Sequence, residues 1–215
     1  MGVAVLEMEV TEALLPVAAA AAIFDCDGTL VDSMGWHYRA WVNTCAKFGL
    51  TMTKEILVEL AGKPVDELFT IICQRSGKTG QVDAKTFFTM RDQWYIDNHE
   101  LGQLIEPVGT ILRAAKARGL RLGVVSGGNT DHVMQSLTEA GILDLFDPTA
   151  IICAEHVKHG KPAPEGFELA AARLGVLPSL CVGYEDAKMG MQAIHAAGFM
   201  RAVDVTVLPG YPHLV

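Results

Sequence analysis

The stretch AAAIFDCDGTLVDS, residues 20–33, places two aspartates one residue apart directly after a run of apolar residues. The apolar run predicts a short buried strand over 20–25. Asp25 and Asp27 then lie where this strand ends, and Gly28 permits a sharp turn beside them. Because an open parallel sheet binds ligands at the carboxyl ends of its strands, we expect the functional site at this turn.

The second half of the chain alternates short apolar runs with helical patterns, which predicts strand and helix pairs. These pairs cover 120–125 with 130–140, 150–153 with 164–174, and 180–183 with 187–197. A glycine suited to a left-handed cap follows each of four helical stretches, at Gly119, Gly141, Gly175 and Gly198. The pattern predicts a doubly wound, Rossmann-like α/β fold, in which helices cover both faces of a parallel sheet.

The residues after the first strand have only helical spacing of apolar side chains. The spaced positions are Trp36, Ala40 and Phe48, then Val65, Leu68, Phe69 and Ile72, then Phe87, Met90 and Trp94. We expect these side chains to form a core of their own. The sequence therefore predicts an all-helical cap domain, residues 35–100, inserted into a catalytic core of residues 1–34 and 101–215.

Four polar clusters follow predicted strands, at residues 25–30, 126–129, 161–164 and 185–186. Together, Asp25, Asp27, Glu185 and Asp186 bring several carboxylates close to one another, which costs free energy unless a cation lies among them. A set of oxygen ligands without histidine or cysteine favours Mg²⁺ over zinc. The four clusters therefore predict a magnesium site at one edge of the sheet.

The same edge also offers groups that suit a phosphate dianion. These are the ammonium of Lys161, the hydroxyl of Ser126, and the backbone N–H groups of Gly127, Gly128 and Asn129 at the start of a helix. A metal beside an anion site indicates phosphoryl transfer. Asp25 can attack phosphorus, while Asp27 protonates the leaving oxygen and later deprotonates the attacking water.

The four clusters resemble the four motifs of the haloacid dehalogenase superfamily, at 24–33, 126–129, 161–164 and 183–187. The helical insert, with HYRAW at 37–41, resembles that of the beta-phosphoglucomutase-like branch. Residues 155–164 are similar to a segment of the bacterial fructose-1-phosphate and 6-phosphogluconate phosphatases of that branch. The resemblance implies a magnesium-dependent phosphatase that acts on small phosphorylated metabolites such as sugar phosphates.

The resemblance also implies roles for single residues. Asp25 is expected to be the nucleophile and a metal ligand, and Asp27 the acid/base and a ligand through its carbonyl oxygen. Asp186 is expected as the third protein ligand, with Glu185 near the metal. Ser126 and Lys161 are expected to hold the transferring phosphoryl group, and the helical insert to close over the substrate.

Two residues keep two interpretations each. The resemblance places His37 near the acid/base aspartate, but a lone histidine on a partly apolar helix is also a common packed or surface residue. Lys63, in the loop of residues 62–64, is a candidate for substrate selection or a solvent-exposed lysine. His156 and His159 have a spacing that a metal pair can use, but their loop context favours surface or loop-packing roles.

The rival functions differ in the loop that contains Lys63. Mutases of this branch carry an arginine there that holds the second phosphate of a bisphosphate intermediate, whereas this chain has Val65 at the corresponding place. We therefore predict a phosphatase, with a phosphosugar mutase as the alternative. A catalytically silent binding protein of the same fold is disfavoured because Asp25, Asp27, Lys161 and Asp186 are all present.

Composition narrows the partners and the compartment. The net charge is -8 and no segment concentrates lysine or arginine, so no nucleic-acid partner is expected. The apolar run at 13–24 contains Pro16 and is too short to span a bilayer, so no membrane partner is expected either. The residues before it include Glu7, Glu9 and Glu12 and lack a basic start, so we expect a cytoplasmic chain. Five cysteines without a close pair indicate buried side chains in a reducing compartment. We expect a monomer or a weak homodimer.

Overall fold

The structure is a computed structural model that describes residues 14–59 and 65–213. These residues form two compact units, one of 14–32 with 101–213 and the other of 33–59 with 65–100. The first is an α/β unit and the second contains helices without strands in its described part. The predicted fold class, a doubly wound parallel sheet with an all-helical insertion, is confirmed.

The α/β unit contains a five-stranded parallel sheet. The strands are β1 Ala21–Phe24, β2 Arg121–Val125, β3 Ile151–Ile152, β4 Cys181–Glu185 and β5 Arg201–Asp204. Their order across the sheet is β3-β2-β1-β4-β5, so the first strand of the chain is central, and all four of its residues are buried. A short central strand of apolar residues is typical of a sheet that is covered on both faces.

Register places the ends of β1 and β4 side by side. Phe24 is paired with Tyr184, and their rings stack with centroids 4.5 Å apart. The next residues along these strands are Asp25 and Glu185. Two acidic residues therefore leave the sheet at adjacent points on its carboxyl edge.

The helices are, in chain order, α1 Met34–Lys47, α2 Lys54–Glu59, α3 Val65–Arg75, α4 Ala84–Asn98, α5 Glu106–Ala117, α6 Thr130–Glu139, α7 Glu165–Leu174 and α8 Lys188–Ala196. The first four belong to the helical unit and the last four to the α/β unit. All four predicted cap glycines have a left-handed backbone, with φ between 64° and 73°. No helix in residues 14–59 and 65–213 is long and apolar enough to cross a membrane.

The two faces of the sheet have separate hydrophobic cores. Ala22 and Phe24 point to the face covered by α5 and α6, where Leu112 and Leu137 are fully buried. The other face is covered by α7 and α8. There Ala21, Ile23 and Val125 of the strands share a core with Phe167 and Ala170 of α7 and Ile194 of α8. Because side chains alternate along a strand, one short apolar segment contributes to both cores. This packing holds β1 firmly, and Asp25 directly follows it.

Several strand boundaries differ from those predicted. β3 contains only two of the four predicted residues, because 3-10 turns at Pro148–Ala150 and Ala154–His156 flank it. β4 continues past the predicted end at 183, so Glu185 is its last residue. β5 was not predicted, since it is a four-residue edge strand in which only Val203 is buried.

The helical unit has its own aromatic core. Phe87 is fully buried and contacts the rings of Trp41 and Phe69, with centroids 5.3 and 4.8 Å away. Leu68, Phe69, Ile72 and Phe87 of the predicted positions belong to this core, and Phe48 packs against it. Trp36, Met90 and Trp94 are only partly buried and lie outside it, and Val65 is 49% exposed at the start of α3. All five cysteines of the chain are buried and free, as predicted.

Candidate active site

A shared ammonium joins two carboxylates at the carboxyl edge of the sheet. Lys161 Nζ donates to Asp25 Oδ1 at 2.6 Å and to Glu185 Oε1 at 3.2 Å. Asp25 and Glu185 are buried, and Lys161 reaches them from the loop before α7. Three of the residues predicted from the sequence are thus in direct contact.

A third carboxylate lies next to this contact. Asp186 Oδ1 accepts a hydrogen bond from Thr29 Oγ1 at 3.2 Å, and the Asp186 N–H donates to Glu185 Oε2 at 3.2 Å. Carboxylate oxygens of Asp25, Glu185 and Asp186 lie within 4.8 Å of one another. We call these three residues the acidic cluster. Thr29 was not identified from the sequence, although it belongs to the turn that carries both aspartates.

Burial changes the protonation of the acidic cluster. Burial raises the pKa values of Asp25 and Glu185 above their usual range, and the charge of Lys161 offsets this only in part. Burial and then the charge of Asp25 raise the pKa of Asp186 to about 7. For Lys161, burial alone lowers the pKa, but attraction to Asp25 and Glu185 outweighs it and keeps the ammonium charged. One lysine faces three acids, so negative charge remains once all three ionise.

α8 approaches the acidic cluster so closely that a side chain has no room. A Cβ atom added to Gly190 would overlap the carboxylate of Glu185. Gly190 is buried within α8, and it carries no signal in a single sequence that sets it apart from other helix glycines. It therefore contributes to the site by leaving space for Glu185.

Asp27 lies on a tight turn that is fixed from both ends of the chain. The carbonyl oxygen of Cys26 accepts hydrogen bonds from the N–H groups of Leu30 and Val31, both at 2.9 Å. Gly28 has a φ of 82°, as a sharp turn requires. Tyr211, near the carboxyl terminus, donates its hydroxyl to the Gly28 carbonyl at 2.7 Å. Sequence reasoning missed Tyr211, because nothing local links it to a turn 183 residues away.

A histidine contacts the Asp27 carboxylate. His132 Nε2 lies 3.0 Å from Asp27 Oδ2 and 3.1 Å from Oδ1. The two side chains are 19% and 18% exposed, so this pair is more accessible to water than Asp25. His132 was also missed from the sequence. The signal available was its place three residues after Asn129, on the first turn of the helix that follows a predicted strand.

The loop before α6 has internal hydrogen bonds. Ser126 Oγ accepts from the Gly128 N–H at 3.0 Å, and the Asn129 side chain caps α6 by accepting from the His132 N–H at 2.9 Å. A cavity of about 180 Å³ opens beside Ser126, Gly127 and Lys161. The loop is thus ordered next to the lysine of the site. A phosphate role for residues 126–129 stays a prediction.

Four further candidates were named from the sequence. His37 belongs to the helical unit, where its ring stacks on Tyr95 with centroids 4.4 Å apart. Lys63 lies outside the described residues. His156 Nδ1 accepts from the Cys153 N–H at 2.9 Å, and His159 is exposed and pairs with Glu165. The last two histidines have loop roles in the structure, as their context predicts.

Known proteins resemble this chain over most of its length. The haloacid dehalogenase-like hydrolase family profile matches residues 22–203. Fructose-1-phosphate phosphatase YqaB of Escherichia coli K12 is 34% identical over 190 residues, which cover 88% of this chain and 97% of the relative. Hexitol phosphatase A of the same organism is 32% identical, over 82% of this chain and 78% of the relative. The crystal structure of beta-phosphoglucomutase from Clostridium difficile superposes with a TM-score of 0.72 at 28% identity, over 85% of this chain and 83% of that one.

Proposed function

Since this chain belongs to the haloacid dehalogenase-like hydrolase family, as its motifs predict, we propose that it is a magnesium-dependent phosphatase of small sugar phosphates. The observation that carries the proposal is the buried Asp25 carboxylate, held by Lys161 where β1 ends. Relatives named as phosphatases of fructose 1-phosphate and of hexitol phosphates support this substrate class.

The first step of the proposed reaction forms a phosphoenzyme. A carboxylate oxygen of Asp25 attacks phosphorus, and the bond between phosphorus and the sugar oxygen breaks. Asp27 gives a proton to the leaving oxygen, so that a neutral alcohol departs. Lys161 lies 2.6 Å from Asp25 and balances negative charge as the phosphoryl group arrives.

The second step releases phosphate. Asp27, now ionised, takes a proton from water, and the water oxygen attacks the phosphoryl group on Asp25. The bond between phosphorus and the Asp25 oxygen breaks, which restores both carboxyl groups to their starting states. Asp27 suits this exchange because its side chain is more exposed than that of Asp25.

The acidic cluster fits Mg²⁺. Its donors are all oxygens, they lie within 4.8 Å of one another, and one lysine does not balance their charge. Asp25, Asp186 and the carbonyl oxygen of Asp27 would hold the ion, with Glu185 beside it. When bound, Mg²⁺ supplies positive charge that polarises the phosphoryl oxygens.

Phosphate release from a panel of small sugar phosphates tests the proposal. Fructose 1-phosphate, 6-phosphogluconate and a hexitol phosphate should each be assayed with Mg²⁺ and with excess chelator. We expect release that requires Mg²⁺. Activity that persists in excess chelator would exclude the metal requirement, and no release from any compound in the panel would exclude the substrate class.

Product analysis separates the phosphatase from the phosphosugar mutase. A mutase must hold a bisphosphate intermediate by both phosphates, for which a fixed bidentate cation is the suited group. The loop predicted for this task offers Lys63 and no arginine. With beta-glucose 1-phosphate and a trace of the 1,6-bisphosphate, we expect free phosphate to accumulate. Rapid formation of glucose 6-phosphate with little free phosphate would favour the mutase instead.

A further inference from the structure

His132 contacts both carboxylate oxygens of Asp27, at 3.0 and 3.1 Å. From this geometry we infer that His132 is a positioning residue that holds the acid/base carboxylate in place. The inference rests on the proposed function, in which Asp27 transfers the protons. It assigns a role to a side chain of α6 that the motif residues do not include.

The chemistry of Asp27 defines what a partner must do. Asp27 offers an acceptor in both of its states, a carboxylate oxygen when ionised and the carbonyl oxygen when protonated, so the facing Nε2 of His132 carries a hydrogen and donates it. A donor shared between both oxygens restricts rotation of the carboxyl group. In the first step the proton moves from Asp27 to the leaving oxygen, and His132 keeps its own N–H. His132 therefore orients Asp27 without exchanging a proton with the substrate.

The backbone around His132 is arranged for this contact. The Asn129 side chain caps α6 by accepting from the His132 N–H, which fixes the backbone of His132 in the first turn of the helix. A Cβ atom on Gly128 would lie 3.0 Å from His132 Cδ2, tighter than ordinary contact, so this glycine leaves room for the ring. Both residues belong to the loop that starts with Ser126. One loop thus connects the predicted phosphate site to the acid/base group.

Solvent exposure makes a fixed orientation valuable. Asp27 and His132 are each nearly one-fifth exposed, and an aspartate in such a place can rotate toward water. A misplaced catalytic group reduces the rate strongly, even when the displacement is near 1 Å. The contact with His132 restrains the Asp27 carboxylate, which stays 18% exposed. Asp27 remains reachable for the water of the second step.

The test compares two substrates that differ in their need for an acid. A sugar phosphate has a poor leaving group that needs a proton, whereas p-nitrophenyl phosphate has one that does not. The ratio kcat/KM reports the steps up to formation of the phosphoenzyme, so it isolates the acid role. For His132→Ala we expect kcat/KM for the sugar phosphate to fall by about 10- to 100-fold. This is less than the full rate enhancement that a general acid/base group provides, because Asp27 itself remains. For p-nitrophenyl phosphate we expect a change of less than about 3-fold, because the acid role is not needed there.

Three further variants separate a positioning role from a structural one. His132→Gln keeps an N–H donor at similar reach and should recover most of the lost kcat/KM. His195→Ala removes an exposed histidine of α8 and should leave both substrates unaffected. Asp27→Asn is the reference, because its kcat/KM should fall far more for the sugar phosphate than for p-nitrophenyl phosphate.

The outcomes distinguish the inference from the proposed function. One outcome is that Asp27→Asn lowers kcat/KM for the sugar phosphate selectively while His132→Ala lowers kcat/KM equally for both substrates or for neither. In that case the role of His132 is refuted and that of Asp27 stands. If Asp27→Asn is not selective, Asp27 is not the acid, and both assignments fail. Melting temperatures of the four variants identify any loss that comes from unfolding, and failure of His132→Gln to restore selectivity in a folded chain would also refute the inference.

Discussion

The acidic cluster and the Asp27–His132 pair lie on the same edge of the sheet, but they differ in burial and in charge balance. Asp25 is buried, directly follows the central strand and is paired with a charged lysine. Asp27, two residues later, is more exposed and faces the imidazole of His132 instead of a lysine. The end of a buried strand restricts the motion of a side chain such as Asp25, whereas a turn leaves a side chain such as Asp27 accessible to water. The difference suits Asp25 to attack phosphorus and Asp27 to move protons.

Asp25→Asn should give the largest effect. A carboxamide is not a competent nucleophile toward phosphorus, so we expect turnover to fall by at least about 10⁴-fold. Steady-state phosphate release measures the loss. Asp131→Asn, an exposed change on α6, should retain full activity. Substantial turnover by Asp25→Asn would mean that another residue is the nucleophile, and the division of roles between Asp25 and Asp27 would then be wrong.

Lys161→Ala should have the next largest effect. The ammonium balances charge on Asp25 and on the arriving phosphoryl group, so we expect kcat to fall by about 10²- to 10³-fold. Lys158→Ala removes an exposed lysine from the same loop and serves as the matched control. Circular dichroism would establish that both variants are folded. An unchanged rate for Lys161→Ala would mean that a different cation balances the acidic cluster.

Gly190→Ala tests whether close packing of α8 sets the position of Glu185. The added methyl group overlaps that carboxylate, so either the helix or Glu185 must move. We expect a loss of stability of about 1–3 kcal/mol, typical of overpacking, together with weaker Mg²⁺ activation. Denaturant unfolding and the Mg²⁺ dependence of activity measure the two effects. Gly35→Ala, where a Cβ meets nothing within 4 Å, should cause no loss of stability and no change in Mg²⁺ activation.

Asp186→Asn should give the smallest change, and in the opposite direction. Burial and then Asp25 raise the pKa of Asp186 from 3.8 to about 7, so the folded chain holds this proton more tightly than the unfolded chain. The stability that protonation contributes is therefore complete below about pH 4 and is lost as the pH rises through about 7. In chelator at about pH 8, where the wild-type group is ionised, the uncharged asparagine should raise Tm by about 2–4 °C.

Thermal melting with and without Mg²⁺ checks this prediction. Mg²⁺ should raise the Tm of the wild-type chain, because binding to the folded state stabilises it. The Asp186→Asn variant should respond much less. Asp144→Asn, at an exposed position, should behave as the wild type. A lower Tm for Asp186→Asn in chelator would contradict an uncompensated charge in the acidic cluster.

The sequence predicted the part of the site that strand ends determine. Asp25, Lys161 and Glu185 come together because each lies at or beyond the carboxyl end of a strand, and parallel strands share that edge. Asp25 and Glu185 could be placed side by side once β1 and β4 were known to be neighbours. The fold class was likewise predictable, since long alternation of apolar runs and helices has few other solutions.

The rest depends on distances that no local pattern contains. His132 reaches Asp27 because the first turn of α6 lies beside the turn after β1, and Tyr211 reaches Gly28 only after the chain has completed the sheet. Gly190 is needed because of one helix-to-strand distance. β5 is short and half exposed, so its pattern is weak. Such features follow from tertiary packing rather than from spacing along the chain.

The central claim is that Asp25, and not Asp27, carries the phosphoryl group. It is tested by acid-quenching the phosphoenzyme that the wild-type chain, in which either aspartate could carry the group, and Asp27→Asn form from p-nitrophenyl phosphate, whose leaving group needs no proton. Borohydride then reduces an aspartyl phosphate to homoserine, and peptide sequencing locates the changed residue. The account predicts homoserine at position 25. Homoserine at any other position, or a phosphoryl group bound to a histidine, would contradict it.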